Sequence, residues 1–295
     1  MTRRRGSATS GATAGLFRRT LRRFVRQRLA MVALGLLALL LLVALVADWI
    51  MPHDPNAQDL LGQNAPPSAT HPLGTDDLGR DILSRLIDGT GVTLLAPFIA
   101  VGVGVLIGLP VGMLAGYFRG IFDWLSTRVA DALFAVPGIL LAMAIVAIRG
   151  PSTVNVMIGV GVLFAPRVFR VIRAEVLAIR QATFVDAART IGASPMRILR
   201  NNILPNTAGT LIVQCTVLLG MGVLIEAALS FFGIGVQPPQ ASWGVVLRRS
   251  FDSLTEAPMQ SIYPGIAITL LVLAFMYVGD GIRESIGKEH REAGW

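Results

Sequence analysis

Residues 29–47 read LAMVALGLLALLLLVALVA, Leu29 to Ala47, without one polar side chain. At ~1.5 Å per helical residue this run covers nearly all of a ~30 Å hydrocarbon core. A cleaved signal peptide is the competing reading. It is disfavoured because the apolar run exceeds the usual ~7–15 residues, the basic region before it is long and no A-x-A site follows. The run reads as a signal-anchor span. Five further apolar runs follow, at roughly 92–117, 128–148, 153–172, 208–232 and 262–282.

Composition agrees with this reading. Of the 295 residues 53% are hydrophobic and only 15% charged, with a mean hydropathy of +0.64. A soluble domain carries about 25% charged residues, so this chain lacks the polar surface a soluble fold needs. The expected fold is all-α: a polytopic membrane protein with six transmembrane helices. Several spans are broken by glycine and proline, as in GVGVGVLIGLPVGMLAG around Pro110. Such breaks are tolerated where neighbouring helices re-satisfy the backbone, and small residues let helices approach closely. The spans therefore read as a bundle.

The net charge of +8 and pI near 11 suggest nucleic acid at first sight. The basic residues, however, lie beside apolar runs rather than on a soluble face, and no nucleic-acid partner is expected. With six spans and the N-terminus inside, 21 basic residues fall on the cytoplasmic side and 5 outside. That asymmetry follows the positive-inside rule and places both termini in the cytoplasm. The expected layout is a basic cytoplasmic tail (1–28), a first transmembrane helix (29–50), an extracytoplasmic segment (51–91), a five-helix core (92–283) and a cytoplasmic tail (284–295). Gly6 to Gly15 reads as disordered. Arg18 to Arg28, with Phe17, Leu21, Phe24 and Val25 among the arginines, reads as an amphipathic helix on the anionic leaflet or as a docking segment.

Catalytic signatures are absent. The one lysine, Lys288, sits in Gly287-Lys288-Glu289 and completes no P-loop. His53, His71 and His290 show no metalloprotease or triad spacing, and the single Cys215 makes neither an intrachain disulfide nor a cysteine metal site. No enzyme activity, metal or cofactor is expected in this chain.

The segment between the fourth and fifth runs is QATFVDAARTIGASPMRILRNNILPNT, Gln181 to Thr207. Phe184, Ala187, Ala188 and Ile191 recur at i, i+3, i+4 and i+7, one apolar face of a short helix. Asp186, Arg189 and Thr190 lie off that face. Gly192 supplies a helix stop. Ser194 followed by Pro195 starts a second helix, whose apolar side is Met196, Leu199 and Ile203, and which Pro205 closes. An apolar stripe on an exposed loop needs a cover, either a partner or the chain's own bundle.

This loop resembles the signature of permease subunits of binding-protein-dependent ABC importers: E-A-A, three residues, Gly, nine residues, then I-x-L-P. Asp186-Ala187-Ala188, Gly192 and Leu204-Pro205 fall at that spacing, with Asp186 in place of Glu and Asn202 at the Ile position. Three further segments are similar to the dipeptide/oligopeptide branch. They are His71-Pro-Leu-Gly-Thr-Asp-Asp-Leu-Gly-Arg-Asp81, then Ser230 to Pro239 with Ser242-Trp243-Gly244, and Tyr263-Pro264-Gly265 with Gly279-Asp280-Gly281. The extra N-terminal span resembles the "C" subunit of such systems.

The resemblance implies a bacterial inner-membrane importer of di- or oligopeptides working by alternating access. Loop 181–205 would be the coupling element, with Phe184, Asp186, Ala187, Ala188, Ile191, Gly192, Leu204 and Pro205 facing a separate P-loop ATPase that binds ATP and Mg. A second homologous permease and an extracytoplasmic substrate-binding protein are the other implied partners, with lipid around them. Relatives of the same build carry nickel, haem, glutathione or sugar-type ligands, so cargo stays open.

Pro52 to Asp88 is too proline-rich for long helices and reads as a flap over the outer mouth, or as packing against neighbouring loops. Glu226, near the outer end of the fifth run, is a candidate for the translocation path or for pairing with a polar group at a subunit interface. Asp131 and Asp280 are expected to pair with Arg128 and Arg283. The rival functions are a stand-alone proton- or ion-coupled secondary transporter, for which no half-repeat is visible, and a membrane-anchored structural or sensory protein.

Overall fold

A computed structural model describes residues 21–292. The Gly6–Gly15 stretch and residues 18–20 of the arginine-rich segment lie outside the described residues. Within that segment residues 21–25 are helical, and Phe24 packs against Ala33 and Val278 rather than standing free.

Among the described residues the regular elements are helices, with one isolated bridge between Thr75 and Asp81. The order is α1 (Arg28–Leu45), α2 (Ala47–Ile50), α3 (Ile82–Phe118), α4 (Gly120–Ala135), α5 (Gly138–Arg149), α6 (Thr153–Ile179), α7 (Thr183–Thr190), α8 (Pro195–Ile198), a π-turn (Leu199–Ile203), α9 (Leu204–Phe231), α10 (Trp243–Asp252), a 3-10 turn (Pro258–Ser261) and α11 (Ile262–Glu292). Five stretches are long and apolar enough to cross a bilayer, and α4 with α5 makes a sixth when the two are taken together.

The run read as one span over 128–148 is two helices meeting at 92°. The break falls at Val136, which is extended at φ −82°, ψ 124° because the ring of Pro137 clashes with a helical residue before it. The second expected helix starts earlier, at Ile82, so α3 reaches ten residues into the stretch read as external.

Four helices, α3, α6, α9 and α11, hold the core around Phe164, Leu218, Val223, Leu271 and Phe275. Burying an apolar side chain between helices gains little where lipid tails are the solvent, so close van der Waals contact does the work. The α3–α6 pair shows how. Gly104, Gly108, Gly112 and Gly116 recur every fourth residue on one face of α3. A Cβ at these positions would lie 2.8 Å from Phe164 Cβ, 2.5 Å from the Ala165 carbonyl oxygen, 2.8 Å from the Phe169 carbonyl oxygen and 2.8 Å from Val176 Cβ. Gly161 of α6 answers from the other side, 2.5 Å from Val103 Cβ by the same measure. α1 packs through Ala33, Leu36 and Leu37 against Ala274 and Val278, and through Leu37 and Leu40 against the main core. It leaves Leu29, Val32 and Leu45 exposed, as a peripheral lipid-facing helix should.

The flap ahead of α3 is compact and held to its own chain. Arg80 donates through Nε and Nη2 to Asp76 Oδ2 at 2.8 and 2.6 Å. Arg85, 2% exposed, reaches the Pro55 carbonyl at 2.9 Å. Asp81 caps α3 by accepting from the Ser84 amide at 2.8 Å. Gly79 has φ +72° and lies so close to the Asp59 carbonyl that no Cβ fits. Gln260 and Arg249 bind Thr75 and Asp77 at 2.7 and 2.8 Å, so of the two readings of this stretch the packed one describes its contacts within the chain.

Candidate functional site

The 181–205 loop lies at the Phe118 end of the bundle, far from the flap at the Ile82 end. Thirty-seven residues of α3 separate the two, about 55 Å of helix. Arg180, the C-cap residue just past α6, donates to the Tyr117 carbonyl at 2.9 Å, covering an end-of-helix acceptor that would otherwise lack a partner. Farther up α6, Arg173 forms a two-pronged pair with Asp123 of α4, the Nη2–Oδ2 arm at 2.8 Å. Arg170 meets Asp131 at 2.6 Å. One face of α6 thus binds the ends of α3 and α4 through arginines at i, i+3 and i+10. The expected Arg128–Asp131 pair is present only at 4.0 Å, and Arg170 is the nearer partner. Asp280 is exposed.

α7 begins directly after this anchorage, and its eight residues divide between two surfaces. Val185 is fully buried and packs with Ala188, Ile198, Leu199, Ile203 and Leu204 into the core of the bundle. Phe184, Ala187 and Ile191 face away and stay exposed, Ile191 at 85% and Phe184 at 42%. Of the four residues read as one stripe, Ala188 turns inward and three turn outward. Val185, which that reading passed over, is the anchor. Asp186 is on the exposed side and pairs with Arg189 at 3.0 Å. The Arg189 guanidinium also lies 5.6 Å from the centre of the Tyr117 ring, a second tie between α7 and the end of α3.

Gly192 ends α7 in a Schellman motif. Its amide donates to the Arg189 carbonyl at 2.9 Å and the Ala193 amide donates to the Ala188 carbonyl at 3.0 Å. Both bonds require the positive φ of +79° seen at Gly192. A Cβ there would meet nothing within 4 Å, so any cost of substitution is conformational alone. Gly192→Asn is expected to keep near-normal helix ending and Gly192→Val to lose it, because a β-branched residue is an outlier at positive φ. Protease cleavage at the 189–197 segment checks this: equal cleavage of both variants would refute the motif's role.

Ser194 and Pro195 start α8 as expected, with Pro195 at the first helical position. Pro205 does not close that helix. α8 runs through the π-turn into α9 without a break, and Pro205 sits in the first turn of α9. The wider π geometry tolerates a residue that cannot donate an amide hydrogen bond, so the proline marks a change of helical pitch. Leu204 is half-buried and joins the core cluster, whereas Pro205 is exposed.

Glu226 lies in α9 near its far end, 1% exposed and enclosed by its own chain. Its Oε1 accepts from the Ser230 hydroxyl at 2.7 Å. The same hydroxyl accepts from the Val236 amide at 3.1 Å. Gly244 of α10 is pressed onto this node, where a Cβ would lie 2.5 Å from the Ala227 carbonyl. The neighbouring groove is separate. About 640 Å³ in volume, it is walled by Gly91, Leu95, Ile99, Thr153, Gln237 and Gln240, and Glu226 does not reach it.

The flap also brings together residues that sequence spacing gave no reason to join. His53 and His71 stack with ring centroids 4.6 Å apart, and both approach Asp81.

Comparisons with known proteins agree with this architecture. Residues 108–291 match the family model described as the inner membrane component of binding-protein-dependent transport systems. Residues 15–67 match the N-terminal transmembrane domain of oligopeptide transport permease C. The glutathione transport system permease protein GsiD of Pectobacterium atrosepticum is 43% identical over 267 residues, covering 90% of this chain and 88% of that protein. GsiD of Escherichia coli O1:K1 is 44% identical over 266 residues, with the same coverage. In fold, the chain resembles an inward-facing structure of the MetNI methionine ABC transporter. That match has a TM-score of 0.57 at 22% identity, over 69% of this chain and 96% of the other. Its helices, its loop and the matched length agree: the chain belongs to the inner-membrane permease components of binding-protein-dependent ABC importers, in the oligopeptide permease C branch.

Proposed function

We propose that this chain is the C-type permease of an importer for di- and oligopeptides, working by alternating access. An ATPase on separate polypeptides drives it through the 181–205 loop. The observation that carries the coupling role is the two-sided α7: Val185 locks the helix to the bundle while Phe184, Ala187 and Ile191 remain uncovered. A helix gripped on one face and apolar on the other passes a push on its outer face to the helices behind it. The partner ATPase holds ATP and Mg, since this sequence has no P-loop. A second homologous permease completes the pathway and a substrate-binding protein delivers cargo to the flap side. Both termini are cytoplasmic, in line with the excess of basic residues on the loop side.

For the pathway wall, the groove with Gln237 and Gln240 suits a peptide better than Glu226 does, because amide side chains can both donate to and accept from a peptide backbone. Glu226 instead acts as a packing node for α10. The named cargo of the relatives, glutathione, is a small peptide and leads the substrates to be tested.

The deciding experiment is purification of the tagged chain from its own host in mild detergent, with mass spectrometry of what accompanies it. A second six-span permease and a P-loop ATPase should co-purify, and the ATPase should be lost when residues 184–192 are scrambled. Reconstituted with its binding protein, the complex should take up labelled di-, tri- and oligopeptides and glutathione on ATP addition. Recovery of the chain alone, indifferent to the scramble, would overturn the reading.

A further inference from the structure

The flap aspartate Asp81 is 0% exposed in its side chain and its two oxygens do different work. Oδ2 is taken up by the Ser84 amide and hydroxyl at 2.8 and 2.7 Å. The Ser84 hydroxyl in turn accepts from the His53 amide at 3.1 Å. Oδ1 faces His71 Nδ1 at 3.0 Å. His53 Nδ1 is 3.9 Å from Oδ2, beyond hydrogen-bond range, with its ring stacked on that of His71. The three ligand atoms all lie within 4.8 Å of one another.

We propose that His53, His71 and Asp81 bind a divalent first-row cation, Zn²⁺ first, at the end of the bundle opposite the 181–205 loop. Three observations converge on this. The donor set, two imidazoles and one carboxylate, is that of open zinc sites, in which water completes the shell. Ligand atoms around tetrahedral zinc stand about 3.4 Å apart, as metal–ligand bonds of about 2.0–2.1 Å require; His71 Nδ1 and Asp81 Oδ1 stand 3.0 Å apart, and all three ligand atoms lie within 4.8 Å of one another. The carboxylate is already oriented by Ser84, the kind of outer partner that fixes a metal ligand in place. His53 and His71 are 40% and 30% exposed, which leaves an entry path and room for the water.

The electrostatics of the flap favour a cation. Residues 51–81 carry five aspartates, of which Asp76 faces Arg80 and Arg85 and Asp77 pairs with Arg249, while Asp54, Asp59 and Asp81 have no arginine partner among the described residues. Opposing this is the positive end of α3, equivalent to about half a charge, which the full charge of the Asp81 carboxylate outweighs. Bound there, the ion would cross-link the turn after α2 to the 68–81 loop and so stiffen the flap.

The test uses the full chain in mild detergent, carried on a tag without histidines, stripped with chelator and equilibrated with ZnCl₂. Wild type should bind one more equivalent of zinc than the His53→Ala/His71→Ala double variant. Each single variant should weaken that site by more than about tenfold, since losing even an outer-shell partner costs that much. The His53 ring makes no hydrogen bond to Asp81, so His53→Ala keeps the test alive if the double variant fails to fold. Added Co²⁺ should give wild type, but not His53→Ala, the intense visible bands of a low-coordinate centre. Equal zinc content in wild type and His53→Ala across the titration, with no such bands in either, overturns the proposal.

Discussion

Gly108→Val is expected to lower the thermal stability of the folded chain sharply, and Gly102→Val, six residues away on the same helix, to be tolerated. The two glycines differ only in what stands opposite them. A Cβ at 108 would lie 2.5 Å from the Ala165 carbonyl oxygen, 2.7 Å from Val168 Cβ and 2.9 Å from the Phe169 amide. Two of those three neighbours are backbone of α6, so no rotamer change relieves the clash and the helices must separate. A Cβ at 102 meets nothing within 4 Å. Overpacking costs about 1–3 kcal/mol where side chains can shift, and more where they cannot. Separation would also unseat Gly104, Gly112 and Gly116, so about 3 kcal/mol is a lower estimate. Against a total of about 5–15 kcal/mol, that is a large share. Thermal unfolding followed by size-exclusion in detergent reads it: Gly108→Val should shift to aggregate at temperatures where Gly102→Val still runs as wild type. Equal behaviour of the two would mean that α3 and α6 are not packed through this ladder.

The glycine spacing behind this prediction was in plain view, in a run that advertises small residues. Which helix it faces was not. A four-residue ladder states that something comes close, and only the fold shows that the something is α6. The same limit explains the arginines. Seven basic residues between 167 and 200 reveal which side of a membrane that stretch prefers, but Asp123 is 50 residues from Arg173 and no local pattern joins them. His53, His71 and Asp81 are scattered for the same reason. A flap shaped by prolines and by Gly74 and Gly79 at positive φ brings distant positions together by turns, and turns carry no periodicity.

Pro137-Gly138 is turn punctuation, the local signal that divides the 128–148 run into α4 and α5. In the 181–205 loop, Phe184, Ala187, Ala188 and Ile191 satisfy the helical template, but so do Val185 and Ala188. A short helix whose apolar residues spread over nearly half its circumference has two candidate inner faces. The choice is made by where α6 delivers it, and the Arg180 and Arg189 contacts with Tyr117 fix that delivery. Gly192, by contrast, was fully legible, because its role depends on its own backbone.

The largest functional effect is expected from the outer face of α7. Phe184→Asp combined with Ile191→Asp should leave the permease folded and in the membrane but free of its ATPase, with ATP-driven uptake lost. Both side chains are exposed, 42% and 85%, so neither change opens a cavity or buries a charge within the chain. The helix keeps its inner anchor at Val185 and its Schellman ending at Gly192, and stability should move by less than about 0.5 kcal/mol. At an interface the same changes remove two large apolar contacts and bury two carboxylates without partners. Truncating a central anchor typically costs about 2 kcal/mol or more, and an unpaired buried charge adds several. The sum exceeds 4 kcal/mol, about a thousandfold in affinity. Val185→Asp is the informative contrast. It places a charge in the fully buried position and should fail at folding, before any question of partners arises. Detergent melting curves together with ATPase co-purification separate the two outcomes. If the double variant melted normally and still retained the ATPase and uptake, the outward stripe of α7 would not be the docking surface.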